Sequence, residues 1–280
     1  MTYTRREIQS MLAEIGVRPR KSLGQNFVAD PNLVRRIARL AEITPGDRVI
    51  EIGAGLGSLT LALVEAGAFV TAIEIDSLLA DKLRTTVDRG RVEVIEADAM
   101  RIGWSAVLSP NDRVALVANL PYNIATPLIA DLLDQVPGID RMIVMVQREV
   151  AKRLVARVGD DEYGIPSVKV AFWADAKIVA TVPPDVFVPR PNVDSAIVRI
   201  MRRPEPAADI DVAQVFTLVR AGFGQRRKML RRSLAGLVTV DELVAAGIRP
   251  EQRAEEIDVA GWCRLARIVA AQDSVRGEGS

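Results

Sequence analysis

The 280 residues include no histidine and a single cysteine, Cys263. Without histidine the chain builds no Ser-His-Asp or Cys-His triad, no imidazole base and no His-ligated metal. One thiol excludes a disulfide framework, a thiolate zinc site and an iron–sulfur cluster, so no metal is expected. Aromatic residues are sparse, at 4%. Long apolar runs are missing too, and nothing approaches the roughly 18 residues of a membrane span. The opening Met-Thr-Tyr-Thr-Arg-Arg-Glu starts an amphipathic helix and has no signal-peptide core. Together with the lone cysteine, this gives a cytoplasmic protein as the expectation. Chemistry is left to carboxylates, amides, hydroxyls, aromatics, backbone groups and a borrowed cofactor.

Neither sign of charge prevails: 37 basic against 36 acidic side chains, a net charge of +1. The balance is uneven along the chain. Residues 1–39 hold eight Arg and Lys against three acids, and 218–232 hold six basic residues and no acid. Codon usage accounts for an excess of Arg over Lys, but not for this clustering. Two basic segments suit a polyanion gripped from both ends of the chain. The plainer alternative for the second segment is a solvated helix face.

Strands and helices alternate through the first two thirds. Asp30-Pro31 is a helix start, with Asp as N-cap and Pro at the first helical position, followed by Leu33, Val34, Ile37, Ala38 and Leu40 at helical spacing. Strands are expected at 47–52, 69–75, 91–95, 114–118, 142–146, 176–182 and 193–201, with helices at 59–66, 77–87 and 126–133. Such alternation implies right-handed crossovers and a doubly wound α/β sheet. After Arg202-Arg203-Pro204-Glu205-Pro206 only helical signals remain, among them Thr239 with Glu242 as a capping box and Asp258 as a cap. The expected division is an α/β domain over 1–203 and a small all-helical domain over 204–280.

Glu51-Ile-Gly53-Ala-Gly55-Leu-Gly57-Ser58 joins the first sheet strand to its helix, where a doubly wound fold binds a nucleotide. The spacing is G-x-G-x-G. The sixth position of a dinucleotide fingerprint is Ser58, and no Gly-Lys-Ser/Thr follows for a triphosphate. At the end of the second strand Glu74 can accept hydrogen bonds from ribose hydroxyls, worth about 1.5–3 kcal/mol each when charge-assisted. Asp98, after the third strand, is placed for the adenine edge. Loop, ribose acid and adenine-side acid in series are what S-adenosylmethionine requires, with NAD as the second reading and a tight turn flanked by solvated acids as the third.

At the end of the fourth strand stands Asn119-Leu120-Pro121-Tyr122. An exocyclic ring amine that attacks an activated methyl needs acceptors for its N–H groups and a rigid pose. The Asn119 side-chain oxygen and the Leu120 carbonyl supply acceptors, Pro121 fixes the turn and Tyr122 can stack on the base. Phe187 could be a core aromatic, but its proline-flanked segment 183–191 favours a rigid exposed loop with a functional role. Cys263 reads as structural, away from the cofactor loop.

The Asn-Leu-Pro-Tyr tetrapeptide resembles that of the ribosomal RNA adenine dimethyltransferases of the KsgA (RsmA) type. Lys21–Phe27, Asn119–Pro127, Met145–Arg153, Glu162–Val168, Phe187–Ser195 and Phe223–Leu230 are similar to the other motifs of that family and span about residues 20–235. The resemblance implies a Rossmann-like S-adenosylmethionine-dependent methyltransferase sheet with a small helical RNA-binding domain, and an arm over 1–27 that covers the cofactor. It assigns Asn26, Val28, Gly53, Glu74, Asp98 and Asn119 to the cofactor, and Asn119, Leu120, Pro121, Tyr122 and Phe187 to the reacting adenine. Arg226, Arg227, Lys228 and Arg231, read as a ridge sharing helix faces, would hold phosphates. The implied substrate is a pair of adjacent adenosines in the 3′-terminal hairpin of small-subunit rRNA, within the pre-small subunit, for a monomeric enzyme. Met229 and Arg232 depart from residues common in the family. Two rivals stay open: an Erm-type large-subunit rRNA methyltransferase, and an RNA-binding assembly factor with dispensable catalysis.

Overall fold

The structure is a computed structural model that describes residues 2–20, 23–109, 111–121 and 123–277, with side chains up to residue 272. Its elements run in chain order: α1 (Arg5–Glu14), β1 (Phe27–Val28), α2 (Pro31–Leu40), β2 (Arg48–Ile52), α3 (Ser58–Glu65), β3 (Phe69–Glu74), α4 (Ser77–Thr86), β4 (Val92–Glu96), α5 (Trp104–Val107), β5 (Val114–Asn119), α6 (Ala125–Gln135), β6 (Ile139–Gln147), α7 (Arg148–Val155), α8 (Ile165–Trp173), β7 (Ala174–Val182), β8 (Phe187–Val188), β9 (Ser195–Arg202), α9 (Val212–Gly224), α10 (Leu230–Ser233), α11 (Val240–Ala245) and α12 (Val259–Gly277). Local chemistry sets several boundaries. Thr4 and Glu7 form a capping box on α1, and the Asp30 carboxylate accepts the Asn32 N–H at 2.8 Å to start α2.

Seven strands form the main sheet in the order β4-β3-β2-β5-β6-β9-β7, and β1 and β8 make a separate two-stranded ribbon. β2, β3, β4, β5 and β6 pair in parallel, whereas β9 is antiparallel to β6. The inner parallel strands are largely apolar and buried because both faces of the sheet are covered there. The edge strand β4 instead interleaves acid and apolar residues. The order reverses between β2 and β5, and a doubly wound sheet carries its crevice at the carboxyl ends of those strands. The expected α/β class with a C-terminal helical region is the one observed.

By internal packing the chain divides into two units: Met1–Ala151 with Ala176–Arg202, and Lys152–Asp175 with Arg203–Ser280. This differs from the expected cut at residue 203, since 152–175 pack with the C-terminal helices. The reason lies in their apolar side chains. Tyr163, Val168 and Phe172 are buried in one cluster with Phe216, Val219, Leu265 and Trp262, and the Tyr163 hydroxyl donates to the Ile257 carbonyl at 2.9 Å. Gly222 lets α9 and α12 pack closely, because a methyl there would lie 2.7 Å from the Trp262 ring. Thr239 and Glu242 form the expected capping box, and the Asp258 carboxylate accepts the Gly261 N–H at 2.7 Å.

The basic segment departs from expectation. α9 stops at Gly224 and Met229 caps α10, so 225–229 form a turn rather than part of a helical ridge. Among the described residues no helix is long and apolar enough to cross a membrane, and no cluster of acids and thiols could hold a metal.

Candidate active site

A cleft of about 700 Å³, open mouth included, lies at the switch point of the first unit. Its walls come from the arm (Leu23–Val28), the glycine loop after β2, the ends of β3 and β5, and Leu79 of α4.

The glycine loop takes a course that side chains resist. Gly53, Gly55 and Gly57 all have positive φ, at 73°, 57° and 89°. A methyl built on Gly57 would stand 2.5 Å from Leu83, and one on Gly55 would stand 3.0 Å from the Phe27 ring. Glycine therefore brings the arm and α4 against the loop and turns its backbone toward the cleft.

Glu74 anchors this geometry. One carboxylate oxygen accepts the Gly55 N–H at 2.8 Å and the other accepts the Asp76 N–H at 3.0 Å. Burial pushes its carboxyl above the usual range, opposed by those two N–H donors. A carboxylate has about four acceptor positions, so two backbone donors leave capacity for a ligand hydroxyl. Next to it on β2, Glu51 is buried, accepts the Thr60 hydroxyl at 2.6 Å and lines the cleft. Burial raises its carboxyl to about 8, with the neighbouring Glu74 charge adding to the rise, so Glu51 is largely protonated at neutral pH.

Asn119 closes the opposite wall. Its Nδ2 donates to the Asn26 carbonyl at 2.9 Å, which leaves Oδ1 as the acceptor end of the amide. Backbone bonds on both sides hold the segment. Leu120 N–H donates to the Met145 carbonyl at 3.0 Å, and the Pro121 carbonyl accepts from Ile124 and Ala125 at 3.2 Å as α6 begins. The buried Leu120 side chain fixes it from below.

Of the expected cofactor residues, Asn26, Val28, Gly53, Glu74 and Asn119 line this one cleft together with Pro121. Asp98 is not in the wall: its carboxylate accepts the Met100 N–H at 2.9 Å and faces Arg101 at 3.6 Å. Tyr122 lies outside the described residues. Phe187 corrects an expectation, since it is buried rather than exposed. The β1–β8 pairing, Val28 opposite Phe187, turns the ring into the main apolar cluster beside Val28 and Ile197. The helical unit keeps Arg226, Arg227, Lys228 and Arg231 exposed. Arg226 is also committed within that unit, to Glu255 at 2.7 Å and the Asp161 carbonyl at 2.8 Å, and Arg231 faces Glu251 at 3.7 Å. Sequence reasoning passed over Glu51 and Gln25 as cleft residues. An acid inside the otherwise apolar strand Val-Ile-Glu-Ile was the available signal for Glu51.

Residues 16–271 match the model of the ribosomal RNA adenine dimethylase family. A relative from Kineococcus radiotolerans, a ribosomal RNA small subunit methyltransferase A, is 48% identical over 93% of this chain and 89% of its own length. One of the same description from Streptomyces coelicolor is 46% identical over 93% and 94%. Among solved structures, a dimethyladenosine transferase from Plasmodium falciparum superposes with a TM-score of 0.74 at 26% identity, covering 84% of this chain and 94% of that one. The 23S rRNA methyltransferase ErmE gives 0.66 at 29% identity, over 87% and 99%.

Proposed function

Because this chain belongs to the ribosomal RNA adenine dimethylase family, an S-adenosylmethionine-dependent rRNA adenine methyltransferase, we propose that it dimethylates two adjacent adenosines in the 3′-terminal hairpin loop of small-subunit (16S) rRNA. The proposed setting is a nearly assembled pre-small subunit in the cytoplasm, with the enzyme acting as a monomer. The curated relatives, described as small-subunit methyltransferases, support that substrate over the large-subunit rRNA in the description of ErmE.

The cleft fits the cofactor by the sign of its charge. Among the described residues its ionisable side chains are two acids, Glu74 and the largely protonated Glu51, with no Lys or Arg to meet a phosphate. Such a lining suits a ligand bearing a sulfonium and an ammonium, and it disfavours the pyrophosphate of NAD. Glu74 would take the ribose hydroxyls, Ile75 the adenine face, and the backbone of Asn26 to Val28 the remaining length. Asp98 would reach the adenine edge from beyond the wall. When bound, S-adenosylmethionine supplies a methyl group already activated on sulfur, so the protein needs neither a nucleophile nor a histidine base.

The chain's own residues supply the pose. The observation that carries the reading is the Asn119 amide, oriented by the Asn26 carbonyl so that its oxygen can accept an N–H of the entering amine. The Leu120 carbonyl is the second acceptor, and Pro121 restrains the turn between them. Tyr122 is the proposed stacking face for the flipped base; stacking contributes about 1–3 kcal/mol and offsets part of the unstacking cost. For Phe187 to offer a second face, the β1–β8 ribbon must yield and uncover its ring. Arg227 and Lys228, exposed beside the ion-paired Arg226, are proposed to hold RNA phosphates.

The test is mass spectrometry of small-subunit rRNA after incubation of unmethylated subunits with the protein and labelled cofactor. Dimethylation at two neighbouring adenosines is the expected outcome, and absence of label on adenosine refutes the assignment. Large-subunit rRNA run in parallel separates the Erm-type reading. An assembly factor with dispensable catalysis would instead keep subunit maturation normal in Asn119→Ala cells.

A further inference from the structure

The arm that walls the cleft is anchored at both ends. At one end α1 packs through Ile8 and Leu12 on Leu56 and Leu79; at the other β1 pairs with β8. Among the described residues, the stretch 18–26 is hydrogen-bonded to the rest of its unit at two places. One is the Asn119 amide on the Asn26 carbonyl. The other is Asp76, whose Oδ2 accepts Arg20 Nη2 at 2.9 Å and Gln25 Nε2 at 3.1 Å. Arg20 N–H in turn donates to Gln25 Oε1 at 2.8 Å, so the two arm residues brace one another on the same oxygen.

Asp76 is well placed to act on the ligand without touching it. Its side chain is almost fully buried and is absent from the cleft wall. Its other oxygen, Oδ1, caps α4 at the Leu78 N–H, and its own N–H sits on Glu74. One residue therefore joins the arm, the start of α4 and the carboxylate that would receive the ribose. We propose that Asp76 is a positioning residue that sets how long the cofactor stays in the cleft, by latching the arm through Arg20 and Gln25. The proposal rests on the reading of the cleft as the S-adenosylmethionine site. It adds that release requires the arm to part from Asp76, so the latch governs departure more than chemistry.

The experiment follows tritiated S-adenosylmethionine leaving the full-length protein during a chase with unlabelled cofactor. Wild type, Arg20→Ala, Asp76→Asn and the double variant are compared. Asparagine can still cap α4 and keeps the N–H on Glu74, while Arg20 is half-exposed, so the folded state should persist; Arg20→Ala alone decides the matter if Asp76→Asn does not fold. Each single variant should release the cofactor about tenfold faster, as loss of a bond to a charged partner implies. The double variant should be no faster than Asp76→Asn alone, because Arg20 acts through Asp76. KM for the cofactor should rise by more than kcat falls, and Arg20→Lys should recover part of the residence time. Wild-type release rates in both single variants, or independent effects that multiply in the double, overturn the latch. Failure of the wild type to retain the cofactor at all overturns the reading of the cleft instead.

Discussion

At the scale of single residues the cleft depends on two adjacent carboxylates whose environments set different tasks. Glu74 is held by two backbone N–H groups, and Glu51 by one hydroxyl deep in the wall. Glu74→Ala should abolish cofactor binding in calorimetry while the circular dichroism spectrum stays native; retained affinity would remove Glu74 from the ribose site. Glu51 carries a folded-state carboxyl raised from 4.5 to about 8. A raised acid pKa means that the folded state holds the proton more tightly. Its stabilising contribution is complete below pH 4.5 and is lost as pH rises toward 8, with a slope of about 1 kcal/mol per pH unit. Glu51→Gln should flatten the fall in Tm across that interval, and an unchanged pH profile would show that Glu51 is ionised in its pocket. Glu74 was legible from its place at a strand end. Glu51 shows in the sequence only as an acid within an apolar strand, and that pattern does not display the full burial which sets its protonation.

At the scale of elements, legibility followed the range of the interactions. The α2 start at Asp30-Pro31 and the capping box at Thr239 and Glu242 are local and could be read from spacing alone. The β1–β8 ribbon joins residues 27–28 to 187–188, and two-residue strands leave no periodicity to read. That ribbon explains why prolines around Phe187 suggested an exposed loop while the ring is buried. The break at 225–229 was equally hidden, since charged residues at i, i+4 fit a helix whether or not Gly224 ends it. The glycine loop was legible as a ligand turn, though its packing demand was not. Gly57→Ala places a methyl 2.5 Å from the buried Leu83 side chain at a φ of 89°. It should cost about 2–3 kcal/mol of stability from overpacking and strain combined, read from chemical denaturation. A loss well below 1 kcal/mol would show that α4 moves aside freely.

For the whole molecule, the near-zero net charge conceals an acidic bulk and two basic segments. With Arg226 engaged by Glu255, Arg227 and Lys228 are the better candidates for phosphate contacts. Replacing both by Ala should weaken RNA binding and lower the slope of log affinity against log salt by about 1.4, at roughly 0.7 per released single-strand contact. An unchanged slope would place the RNA contacts elsewhere. The absent histidine agrees with this scale as well: a reaction whose leaving group arrives on the cofactor loses nothing without an imidazole.

The excursion of residues 152–175 has a consequence for inheritance. The chain enters the helical unit after Ala151, returns to the sheet at Ala176 and leaves it again after Arg202. A gene fusion with one breakpoint near codon 203 would pair a foreign helical region with this chain's own Tyr163, Val168 and Phe172, whose burial partners would be gone. Exchange of that unit between relatives therefore demands two coordinated recombination events, and the unit should descend with its sheet rather than spread as an independent module.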